Sequence, residues 1–149
     1  GTTAEIEPKV IDECNDRDDD RSASAFAMRI PEAFRSYWRK LVAQVLDKYG
    51  DAVVDCYTLT AGMDCRLRYV HSETRRQVFL RFVWKTTSNS LVCYTYLSLG
   101  NLDVSPLISC PRPNNAAEPT KVIIVNNGRE LDPSGTAFLK LVDAAIKGM

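Results

Sequence analysis

Apolar positions recur along this chain with two periods, roughly 3.6 residues in some stretches and two in others. The longer period is clearest over Phe34, Tyr37, Trp38, Leu41, Val42, Val45, Leu46 and Tyr49, which line one side of a helix. Pro31 suits the first position of that helix, Glu32 favours the positive end of its dipole, and Gly50 stops it. A second helix is predicted after Asp132-Pro133, read as N-cap and first-turn proline, with Phe138, Leu141, Val142, Ala145, Ile146 and Met149 on one stripe. The two-residue period predicts strands. Val78 to Trp84 is β-branched, aromatic and almost continuously apolar, as in a central strand covered on both sides.

Around that central run, strand-like segments occupy Ala52–Thr60, Cys65–Val70, Arg76–Lys85 and Leu91–Leu99. The polar connections between them are short enough only for antiparallel hairpins, so a meander is expected. Ser24–Ile30 alternates and predicts a short strand with Phe26, Met28 and Ile30 on one side. Lys121–Val125 predicts one more strand, followed by a turn at Asn126-Asn127-Gly128. Residues 101–120 hold Pro106, Pro111, Pro113 and Pro119 and read as an irregular loop, either mobile or a contact segment. The expected fold class is α+β: an antiparallel meander of four to five strands with two helices on one face. In chain order this is β-α-β-β-β-β-(β)-α.

Composition changes the picture mainly through charge. The formal net charge is zero, yet residues 1–22 alone carry −5, so the remainder carries +5. An acidic stretch poor in aromatics predicts a solvated, disordered arm over residues 1–24, ahead of one α+β interaction domain over 25–149. A chain of 149 residues is long enough to bury a sizeable core. The five cysteines form no CxxC pair, and four of them lie in or beside apolar runs. With no signal-peptide pattern and no apolar run near membrane-spanning length, an intracellular protein, cytoplasmic or nuclear, is expected.

No motif for catalysis, metal or cofactor stands out. His71 is the only histidine, and no family signature surrounds Cys56 or Cys65, its candidate partners in a cysteine-dependent enzyme. The acids gather in the arm rather than at metal-ligand spacing, and no phosphate-cradling glycine loop occurs. Arg76–Trp84 has the aromatic character of an RNA-recognition strand but lacks its glycines, which argues against nucleic acid.

Charge does gather on the predicted sheet. Segment 65–85 carries six bases against one acid. If Leu80, Phe82 and Trp84 face the helices, alternation directs Arg66, Arg68, Arg81 and Lys85 to the opposite face, beside Tyr94 and Tyr96. Such a face would be either a solvated surface or a binding site for a protein partner, an acidic peptide or phosphopeptide, or an anionic lipid surface. In the second case the acidic arm is a candidate internal occupant.

The order of elements resembles the kinase-associated C-terminal domain, the small α+β module that ends microtubule-affinity-regulating and AMP-activated kinases. The residues that carry this are Gly135-Thr136-Ala137-Phe138 with Leu141-Val142 and Ala145-Ile146 at the end. In the meander they are Cys65-Arg66-Leu67-Arg68-Tyr69 and Tyr94-Thr95-Tyr96-Leu97. RWD-type domains of kinetochore and checkpoint scaffolds are similar in the same way. Both resemblances imply a non-catalytic docking or regulatory module without a cofactor.

Overall fold

The computed structural model describes residues 23–50, 52–59, 62–70, 76–110 and 119–149; the side chains of 23–25, 52–59, 62–64, 67–70 and 76 are not described. The chain is an α+β protein built on an antiparallel sheet. It divides into two compact units, Gly1–Val78 and Phe79–Met149, with the break inside one strand. Among the described residues no helix is long and apolar enough to cross a membrane. The predicted arm lies outside the described residues up to residue 22, and its last two positions belong to a helix.

In the first unit, helices α1 (Ala23–Arg29) and α2 (Glu32–Lys48) precede the hairpin of β1 (Ala52–Leu59) and β2 (Gly62–Val70). The α1 segment corrects the strand expected over Ser24–Ile30. Alternation would bury Met28, which is instead 66% exposed, whereas Phe26, Ala27 and Ile30 are fully buried at helical spacing. Alanine at three of the seven positions, 23, 25 and 27, also favours helix. The Phe26 ring stacks on Trp38 of α2, with centroids 5.1 Å apart. Arg35 then completes the corner: its Nε donates to the carbonyls of Ala27 and Ile30 at 3.0 and 2.9 Å, and the Ala27 carbonyl also accepts the Ile30 N–H at 3.1 Å. The apolar stripe of α2 is as the period predicts, with Tyr37, Trp38, Leu41, Val42 and Val45 buried. Strand β2 begins at Gly62, absorbing most of the turn expected at Ala61–Asp64.

Strand β3 (Arg76–Lys85) coincides with its predicted bounds and carries the chain into the second unit. There follow β4 (Ser90–Thr95), β5 (Ile108–Cys110), β6 (Thr120–Asn126), β7 (Arg129–Glu130) and helix α3 (Thr136–Lys147). The strand order in this unit is β3-β4-β6-β5, antiparallel throughout, and β7 pairs with β6. Strand β4 stops four residues earlier than its apolar pattern. The Leu97 N–H donates to Thr95 Oγ1 at 3.2 Å, bending the chain, and Thr120 Oγ1 donates to the Leu97 carbonyl at 3.1 Å. The first half of the expected loop is thus anchored: Val104 and Leu107 are buried ahead of β5, and residues 111–118 lie outside the described set.

The turn at Asn127-Gly128 joins β6 to β7, both residues having positive φ (50° and 78°), the signature of a tight hairpin turn. It docks on the neighbouring β3–β4 turn, where the Gly128 N–H donates to the Asn89 carbonyl at 2.8 Å. A Cβ at Gly128 would push aside the end of the exposed Asn89 side chain, whose Nδ2 lies 2.7 Å away, but it is the positive φ that calls for glycine here. Helix α3 begins later than Asp132-Pro133 suggested, with Gly135 (φ 79°) at its N-cap. The buried Asp132 carboxylate still caps from upstream, accepting the Phe138 N–H through Oδ2 at 2.9 Å.

Candidate functional site

The paired register of the second unit assigns the side chains of Arg81–Trp84, Leu91–Tyr94 and Lys121–Ile123 to one face or the other. Phe82, Cys93 and Val122 stand directly opposite one another, and all are fully buried. The Phe82 ring meets Phe138 of α3 with centroids 5.8 Å apart, so α3 covers this side. Burial also pushes the Cys93 thiol up to about 12, outweighing the opposing influence of Arg81.

One residue along, the side chains point the other way. Arg81 stands opposite Tyr94, Tyr94 opposite Lys121, and Lys121 opposite Cys110 on β5. Arg81, Tyr94 and Lys121 are partly buried, and Cys110 is exposed. The Arg81 guanidinium lies over the Tyr94 ring, Cζ 4.6 Å from its centroid, and Lys85 Nζ approaches the same ring at 5.9 Å. Two residues further along each strand, Val83, Val92, Ile123 and Ile108 form a parallel apolar row. Val92 is buried within that row, Val83 and Ile123 are partly buried, and Ile108 is 40% exposed. Phe79 shares the alternation of Arg81 yet is buried, so the face is open only in part.

Of the residues expected from sequence, Arg81, Lys85 and Tyr94 form this cluster. Tyr96 lies past the end of β4 and is 50% exposed. Arg66 and Arg68 are on β2 in the first unit; Arg66 is partly buried at the register position opposite Asp55, and the Arg68 side chain lies outside the described residues. Sequence reasoning missed Lys121 and the apolar row. The signal for Lys121 was its place at the head of the predicted strand Lys121–Val125, alternating with Val122.

Trp84, expected deep in the core beside Phe82, is only partly buried, opposite Leu91. Cys65 is buried, whereas His71 and the Cys56 side chain lie outside the described residues, as does the pairing a cysteine-dependent enzyme would need. Among the described residues, no three His, Cys, Asp or Glu side chains gather closely enough to hold a metal ion. Comparison of the chain with family models, with curated proteins and with solved structures finds no match in any of the three.

Proposed function

We propose that this protein is a non-catalytic docking module that binds an acidic segment of a protein partner on the Arg81–Tyr94–Lys121 face. The observation that carries this reading is the pair of cations, Arg81 and Lys85, gathered over one tyrosine ring, with Lys121 in the adjacent register position. Arg81, Lys85 and Lys121 around one aromatic ring give this part of the sheet a positive character that attracts an anionic segment. Arginine and tyrosine are also the residue types enriched where binding energy concentrates, and a guanidinium suits a carboxylate geometrically. The kinase-associated and RWD-type modules that the sequence resembles are docking domains as well, which agrees with this role without assigning a partner.

The test is titration of the protein with a fluorescent glutamate-rich peptide, and separately with phosphatidylserine vesicles, at low and at physiological ionic strength. Wild-type protein binds the peptide with an affinity that falls as salt rises, and the pair Arg81→Glu and Lys121→Glu abolishes binding. Equal binding by the charge-reversed protein would sink the reading. Binding to vesicles alone would replace a protein partner with a lipid surface.

A further inference from the structure

The tips of two hairpins meet in the second unit, and the meeting point holds the one Asn-Gly pair in the sequence, Asn127-Gly128. In a flexible chain this dipeptide is the asparagine context most prone to deamidation, because glycine puts no side chain in the path of ring closure. The Gly128 backbone nitrogen gives up its proton to solvent and attacks Cγ of Asn127. The new N–Cγ bond closes a succinimide ring, the bond from Cγ to Nδ2 breaks, and ammonia leaves. Water then opens the ring at either carbonyl to give aspartate or isoaspartate. The reaction consumes only water, and it requires the Gly128 N–H to be free.

In the folded unit that N–H is engaged. It donates to the Asn89 carbonyl at 2.8 Å, and the neighbouring Asn127 N–H donates to Ser90 Oγ at 3.3 Å. Asn127 is exposed, so water reaches its side chain; what restrains it is the backbone, held at a φ of 50°. The imide nitrogen of a succinimide carries no hydrogen, so ring closure removes the bond to Asn89 outright. Isoaspartate then adds a carbon to the backbone of a tight turn whose flanks, Asn126 and Arg129, are register partners. We propose that Asn127 is a deamidation site latched by the contact between the two turns, and that reaction through the opened latch is one-way because the isoaspartate product cannot close it again. This site is independent of the docking face.

The test follows the full-length chain in mildly alkaline buffer, folded and in concentrated urea, by peptide mapping that separates asparagine, aspartate and isoaspartate at residue 127. Conversion in the folded protein should be about tenfold slower or more than in urea, because it waits on a local opening. Asn89→Ala, at an exposed position whose φ of 49° suits asparagine better than alanine, should speed conversion of the folded protein about threefold or more and leave the urea rate unchanged. Ser90→Ala removes the acceptor of the Asn127 N–H and should act in the same direction. Leu141→Ala, in the buried stripe of α3, lowers stability while removing neither hydrogen bond, and should leave the folded rate close to wild type. Equal rates in folded and urea-unfolded protein, or no acceleration in either turn variant, would overturn the latch. Acceleration by Leu141→Ala equal to that of the turn variants would also overturn it, by placing the gate at unfolding of the whole unit. Absence of conversion even in urea would remove the site altogether.

Discussion

The two sides of β3, β4 and β6 are made from the same strands, one residue out of step, and they differ in almost every physical respect. On one side, Phe82, Cys93 and Val122 are fully buried, and Phe82 meets Phe138 of α3. On the other, Arg81, Tyr94 and Lys121 occupy the adjacent register positions, partly open and with cations around an aromatic ring. The first side is where the energy of this unit is concentrated, since removal of large apolar side chains from water is the dominant favourable term in folding. The second is mixed: Phe79 and Val92 on it are buried, while Arg81, Tyr94 and Lys121 are the groups a partner could recognise. A change on one side should register in stability, and a change on the other in binding.

The largest expected effect comes from the buried side. Phe82→Ala should lower unfolding free energy by about 3–5 kcal/mol, because it removes a fully buried ring and leaves a cavity against Phe138. Trp84→Ala should cost less despite its greater size, since Trp84 keeps part of its surface in water. Urea midpoints of the two variants check this ranking. A loss for Trp84→Ala equal to that for Phe82→Ala would mean that α3 is not the main cover of this side.

Cys93 gives the same contrast a pH dependence. Its thiol is pushed from 9.0 up to about 12 by burial, so the folded state keeps the proton after the unfolded chain has released it. Stability is therefore unaffected by this group below about pH 9 and falls as pH rises from there toward 12. Cys93→Ala should flatten that part of the profile relative to wild type, while other groups that titrate there stay common to both proteins. Exposed Cys110, one row over at the edge strand, should react with a thiol reagent at neutral pH before buried Cys65 and Cys93. An unchanged alkaline profile in Cys93→Ala would show that water reaches this side.

Legibility in the sequence followed the range of the interaction. The long helix and β3 were readable because their periods persist over many residues, and the facing of Arg81 and Tyr94 followed from alternation across a short hairpin. Over Phe26–Ile30 the larger residues satisfy both periods, because positions i and i+4 coincide on a helix and on a strand; only exposed Met28 and buried Ala27 distinguish them. Lys121, Ile123 and Ile108 could not be read as neighbours of this site. They reach it through pairing of β4 with β6 and of β6 with β5, contacts between segments separated by long connections. The capping of α3 was half legible: Asp132 was identified, but its carboxylate acts across Gly135, whose positive φ delays the helix.

The smallest expected effect tests the open side. If the Arg81–Tyr94 contact serves recognition rather than folding, a double-mutant cycle of Arg81→Ala and Tyr94→Leu should return a coupling of about 0.5–1 kcal/mol, typical of a cation over a ring near the surface. Each single variant should cost under about 1.5 kcal/mol, since the side chains involved remain partly in water. Lys85→Ala should change the cycle little, because its ammonium is farther from the ring, at 5.9 Å against 4.6 Å for Arg81. The measurement is four urea titrations at one ionic strength, repeated at high salt, where the coupling should diminish only partly in this half-shielded site. Coupling near zero would mean that Tyr94 does not hold the guanidinium in place and that the cluster is an unorganised charged surface. Coupling as large as the loss at Phe82 would mean that both sides of the strands are core, and the division between stability and recognition would fail.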